Sequence, residues 1–353
     1  MGIVVRRFAK RDPAATETVV ADESHALTRQ TAPDTVSALS MRRFLLIAAL
    51  GASASTTPVA VAQGNIPQEV VGASRTLISE ERTQIDAYIK PRVGELGDGD
   101  PSAVTNARKD LGQWPKAPGA SDIFRRAYAD AVREELRPLL QSKDEYRASN
   151  ALMVLPTLLT AESLDELAEN ASPARQKAES VRIMAARLLS HASTKLAEPN
   201  PDFRLNSAQA EGYARRIREA ALEETSWAAL GELGTAVAEV GNCKYLPDDS
   251  RDKVRDELRR ILEREVDLAR RPEHADVIRA VQKTLGDLQK QLVEMRAASK
   301  AAYGQELQPI LKSIRELAAK PPTGASEWSR RAYEKAVKAV DLIETILKTG
   351  RPQ

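Results

Sequence analysis

Two stretches of this sequence carry one pattern 35 residues apart, and that spacing limits what the chain can fold into. Asp144-Glu145-Tyr146-Arg147-Ala148-Ser149-Asn150-Ala151 is echoed by Glu179-Ser180-Val181-Arg182-Ile183-Met184-Ala185-Ala186. In each copy an acidic or polar cap leads to an apolar residue, an Arg, a small residue and an aliphatic run. Such a period holds a pair of helices, and a pair cannot bury its own apolar stripe, so copies must stack. Alternating runs of Val, Ile, Thr and aromatics, the mark of strands, are scarce. Hydrophobic residues make up 42% of the chain and charged residues 29%, with few aromatics, which fits Ala/Leu/Glu/Arg helices. The expected fold class is all-α, and stacked helix pairs point to a binding surface rather than a pocket for chemistry.

Helix signals surround the repeat. Ser121-Asp122 caps a helix whose inward face is Ile123, Phe124, Ala127, Tyr128, Ala131, Val132, Leu136, Leu139 and Leu140. The next helix is expected from about Asp144 to Thr160, and a short one from Ser163 to Ala171, opened by Ser163-x-x-Glu166 in capping-box form. Pro173 is expected to start another, bearing Val181, Ile183, Met184, Leu188 and Leu189. Val181 to Leu189 resembles the second helix of a HEAT-type repeat, and Tyr146 to Leu155 is a weaker copy. The resemblance covers about residues 121–196. It implies antiparallel helix pairs stacked as an α-solenoid, a scaffold or partner-binding role, and no catalytic residues.

The chain divides by pattern into 1–40, 41–62, 63–112, 113–245 and 246–353. In 63–112 a helix is expected from about Gln68 to Lys90, ended by Pro91 and the glycines of Gly94 to Gly99. Asp100 and Pro101 open a second. After the repeat, helices from Ser207 to Glu224 and Ser226 to Val240 read as a looser third pair, so the HEAT-like array is placed at 113–245. Beyond it lies a charged helix, Asp248 to Leu268, and then a seam of Ile278, Val281, Leu285, Leu288, Leu292 and Met295, spaced three and four apart. Gly304 and Pro309 are expected to punctuate the chain, and Ser326 to open a last helix. These helices suggest an antiparallel bundle; the seam serves internal packing or, as the alternative, a homodimer through the C-terminal helices.

The most specific local signal is Met41 to Ala62. Met41-Arg42-Arg43 is a basic start, Phe44 to Leu50 is an apolar run, and Ala60-Val61-Ala62 satisfies the small-residue cleavage rule. Small and polar residues from Gly51 stop the run short of the roughly 20 residues a bilayer needs. The segment reads as a signal peptide, giving an exported (periplasmic or secreted) protein with no integral membrane segment after cleavage; residues 1–40 read as an over-called or disordered N-terminus. Residues 1–62 hold seven Lys/Arg and five Asp/Glu, so the remaining chain balances at 45 of each. Without net positive charge the mature chain has little long-range pull on nucleic acid, and no nucleic-acid partner is expected.

Chemistry is sparse. After residue 62 only His191 and His274 remain, far apart and with no Cys or His beside them, and His191 reads as a packed or rim residue. Glu223-Glu224 and Asp248-Asp249 read as solvated surface. Cys243 stands alone in the chain, either a buried thiol or an intermolecular link. No phosphate loop or dinucleotide fingerprint occurs, and no cofactor or metal is expected. Trp227 reads as core, whereas Trp114, in a Pro-rich loop, is the candidate for an exposed partner contact. The expectation is a non-enzymatic scaffold that binds a protein partner in the envelope or outside the cell. The alternatives are a structural coiled-coil or oligomerising protein, and a helical glycan-processing enzyme with two carboxylates in a deep cleft.

Overall fold

A computed structural model describes residues 64–349 apart from Gly324, and these form one compact unit. Met41–Ala62, the segment expected to be a signal peptide, lies outside the described residues. Thirteen α-helices and no strand occur among the described residues. They are α1 (Gln68–Val71), α2 (Ser79–Asp98), α3 (Pro101–Gln113), α4 (Asp122–Leu140), α5 (Glu145–Val154), α6 (Ala161–Asn170) and α7 (Glu179–Ala197). There follow α8 (Ser207–Glu223), α9 (Trp227–Gly241), α10 (Asp248–Ala269), α11 (Ile278–Glu294), α12 (Ala297–Ala319) and α13 (Glu327–Thr349). The protein is all-α.

From α2 onward the helices pack by a simple alternation. The even-numbered helices form one row, α2 on α4, α4 on α6, α6 on α8, α8 on α10 and α10 on α12. The odd-numbered helices form a second row, α3 on α5 and so on to α11 on α13. Each even helix also packs on the odd helix that follows it, making six consecutive pairs from α2/α3 to α12/α13. The two copies of the sequence pattern fall on α5 and α7, neighbours in the odd row, and equivalent positions meet there: the Ser180 hydroxyl donates to the Glu145 carboxylate.

This alternation runs unbroken through the boundaries expected at 112/113 and 245/246. The C-terminal helices do not make a separate bundle: α11 packs on α9 and α13, and α12 on α10 and α13. All six seam residues from Ile278 to Met295 are buried within the chain. Each fully buried Leu or Ile is worth roughly 1.5–3 kcal/mol over its exposed state, so the seam is committed to internal packing.

Several helix ends differ from expectation for identifiable reasons. Pro91 and Gly94 do not stop α2, because Ile89, Val93 and Leu96 carry its buried stripe on past them. Gly304 and Pro309 likewise lie inside α12, among buried Tyr303, Leu307, Ile310 and Leu311. Burial outweighs local propensity in both. Conversely, α5 ends at Val154, and a 3-10 turn, Leu155–Leu158, takes up Pro156 before Leu159 adopts left-handed backbone (φ 55°). The cap of α6 is Thr160, whose hydroxyl accepts from the Ser163 amide, rather than Ser163 itself. Residues after Pro173 form turns, and α7 begins only at Glu179.

Glu224 overturns the expectation of a solvated Glu223-Glu224 pair. It caps the end of α8, is fully buried, and takes a two-point ion pair from Arg182 of α7, Nε to Oε2 at 2.6 Å and Nη2 to Oε1 at 3.2 Å. The same carboxylate accepts the amides of Thr225 and Ser226 on Oε1 at 2.8 and 2.9 Å, so both of its oxygens are hydrogen-bonded. Removing one partner of such a pair typically costs about 3–5 kcal/mol. Its function is to tie α7 to the α8–α9 turn. Glu223 is exposed, as expected.

Candidate functional site

Three even helices begin beside one another, and each has a side-chain cap: Ser121 for α4, Thr160 for α6 and Asn206 for α8. Their first turns line a polar cavity of about 360 Å³, with Asp122, Arg125 and Arg126 from α4, Thr160, Ala161 and Glu162 from α6, and Asn206 and Gln209 from α8. The connector between α7 and α8 closes it with Asp202, Phe203 and Arg204. A second cavity, about 280 Å³, lies against the same connector and is mainly apolar. Pro156, Thr157, Leu159 and Leu164 line it with Ala192, Leu196 and Phe203, while His191, Lys116, Lys195, Glu198 and Asp202 contribute its polar groups.

Leu159, Asp202 and Phe203 line both cavities, so together these make one bipartite groove. Leu159 is the one non-glycine residue with positive φ among the described residues. The strain of a left-handed Leu is held by the fully buried Leu155 and Leu158 before it and the Thr160 cap after it. Pro199 and Pro201 stiffen the connector, and Phe203 packs half-buried against the core.

The charges of the groove are partly matched. Lys116 pairs with Asp202 at 3.7 Å, Lys195 with Glu198 at 2.6 Å, and Arg125 with Asp122 at 3.4 Å while also donating to the Pro115 carbonyl. Arg126, Arg204 and Glu162 make no ion pair among the described residues. Arg204 instead lies 5.4 Å from the centre of the Tyr245 ring. The three carboxylates of the polar cavity, Asp122, Glu162 and Asp202, are all exposed.

Trp114, expected as an exposed contact, is half-buried. Its ring stands edge-on to Tyr88 (5.7 Å, 90°) and near Phe124 (6.5 Å, 73°), and Phe124 continues to Tyr128 at 5.6 Å. A Pro-rich loop looked open in sequence, but a short 3-10 turn, Trp114–Lys116, folds the indole into this aromatic cluster. Its neighbour two residues on, Lys116, is what reaches the groove. His191 is exposed at the rim of the apolar cavity. Trp227 is half-buried, covered by the Arg279 guanidinium at 3.5 Å. Cys243 is buried, and burial pushes its thiol up to about 11, which keeps it protonated and unreactive at neutral pH.

Sequence reasoning missed Phe203, Leu159, Arg126 and Arg204. The only usable signal was Pro199-Asn200-Pro201, which marked a break without revealing what the following Phe203 covers. Among the described residues no group of His, Cys, Asp and Glu is placed to hold a metal, and no helix is long and apolar enough to cross a membrane. Compared with models of protein families and with curated proteins, the chain matches none.

Proposed function

We propose that this protein is an exported, non-enzymatic scaffold of HEAT-like helix pairs that binds a protein partner through the bipartite groove. The observation that carries the reading is the groove's make-up: an apolar chamber beside a polar one, with Leu159, Asp202 and Phe203 lining both. Pockets of this kind take an anchor side chain and orient it with a few polar groups. The polar groups support recognition over catalysis, since Asp122 and Asp202 are exposed and held in ion pairs rather than set into a deep cleft. The rim helix α7 also presents half-buried Ile183, Met184 and Leu188, a surface suited to a polypeptide.

Site-specific photo-crosslinking in the producing cell tests this. A photoreactive residue at Thr157, on the groove, is expected to trap a protein in an extracytoplasmic fraction on a chain lacking residues 1–62. One at Lys312, on exposed α12, serves as the control. No adduct at 157 above the 312 background would remove the groove from the function, and a cytosolic chain retaining its first 62 residues would remove export.

A further inference from the structure

The charge arrangement of the groove narrows what kind of segment it takes. Two of the carboxylates in the polar chamber have a cation beside them, Asp122 with Arg125 at 3.4 Å and Asp202 with Lys116 at 3.7 Å. That leaves two guanidiniums without an ion pair, Arg126 and Arg204, facing a chamber with one unmatched carboxylate, Glu162. The first turns of α4, α6 and α8 add the positive ends of three helix dipoles on the same side. The chamber therefore favours one compact negative charge. The chamber next to it is apolar and sized for one or two side chains, with Phe203 and Leu159 between the two. Charge and apolar surface thus sit side by side, with Leu159, Asp202 and Phe203 common to both chambers.

Resting on the reading of the groove as a protein-binding site, we propose that its occupant is the C-terminal tail of a partner polypeptide. The terminal α-carboxylate lies in the polar chamber against Arg126 and Arg204, and a bulky apolar side chain of the last residues fills the apolar chamber. Carboxylate capture of this sort gives end-specificity, because the backbone of an internal segment carries no such charge beside its side chains. Guanidinium groups suit it through their planar, two-point donor geometry.

Fluorescence polarisation with the full chain tests the assignment. The probes are labelled octapeptide mixtures, randomised except for a C-terminal Leu or Phe, made as free acids and as amides. The free acids are expected to bind and the amides to bind at least about tenfold more weakly. The double variant Arg126→Gln/Arg204→Gln is expected to erase that difference while keeping the helical melting curve of the parent. Equal binding of acid and amide would overturn the proposal, and that comparison needs no variant. Binding of a fluorescently labelled lauric acid with no peptide binding would assign the groove to an amphiphile and overturn it as well, as would silence from every probe. If crosslinking at Thr157 still captured a protein in those cases, the scaffold reading would stand and only the tail assignment would fall.

Discussion

The two rows of helices are held together by different physics. Every step of the even row carries an ion pair: Lys90–Glu135 between α2 and α4 (3.7 Å), Arg133–Glu166 between α4 and α6 (2.9 Å), and Arg216–Asp165 between α6 and α8. Arg218–Glu257 (3.0 Å) and Lys253–Glu211 (3.1 Å) join α8 to α10, and Arg259–Glu306 (3.4 Å) joins α10 to α12. In the odd row the α9–α11 step has an ion pair too, Lys283–Glu232 at 2.9 Å, and adds close approach to it. A Cβ added at Gly234 of α9 would meet Thr284 Oγ1 of α11 at 2.5 Å, and one at Gly241 would meet Gln291 Nε2 at the same distance. Gln291 uses that proximity to donate to the Ala238 carbonyl at 2.7 Å. The difference teaches that charge recurs at every step of the even row, whereas at the α9–α11 step of the odd row close packing is added to one ion pair. Substitutions should sort accordingly.

The largest expected effect lies where the rows meet. Glu265 belongs to α10 but is fully buried toward α11, where the Thr284 hydroxyl donates to its Oε1 at 3.0 Å while Oε2 has no partner. Burial raises its pKa from the ordinary 4.5 to about 8. Lys283 opposes that rise and Asp287 adds to it. The native state therefore keeps a proton that the unfolded chain has released. The stability attached to that proton is complete below the unfolded value and is lost as pH rises through the folded one. Glu265→Gln stays neutral throughout, so the fall in unfolding free energy from roughly pH 5 to roughly pH 9, read from urea unfolding, should shrink by an amount on the order of a few kcal/mol. Parallel slopes for parent and variant would place the pH dependence elsewhere.

Gly234→Ala comes next. It forces Thr284 aside, and thermal or urea unfolding should show a loss of about 1–3 kcal/mol, typical of overpacking. A neutral result would mean the odd row is looser than its glycines imply. Smallest is Lys253→Gln in the even row. Its pair with Glu211 is largely exposed on the lysine side (67%), and the expected cost is under about 1 kcal/mol, vanishing near 1 M salt. A cost as large as that at Gly234, or one insensitive to salt, would erase the distinction between the rows.

Much of this architecture was legible in sequence because helices announce themselves locally. The cap at Asp100 with Pro101 and the Ser121 cap of α4 sit where capping chemistry put them, and α8 starts at Ser207 as its periodicity suggested. What misled was local chemistry overruled from a distance. Pro91, Gly304 and Pro309 read as breaks, yet buried residues on either side hold their helices together. Glu224 read as surface because its partner, Arg182, is 42 residues away. The groove was harder still. Leu159, Phe203, Arg126 and Arg204 come from separate segments, and none belongs to a motif whose spacing could betray it.

The packing of each helix on the next but one also decides the order in which the protein can be assembled. A chain delivered N-terminus first, whether from a ribosome or through a narrow translocation pore, presents α2 and α3 before anything else exists. Each later pair then meets a seat already made by the pair before it, and no early segment waits for a distant late one. Such a topology keeps loop-closure distances short and limits the time apolar surface stands uncovered. The lining of the groove is finished once α8 has emerged, with five helices still to come, so the groove can form before the rest of the chain is delivered.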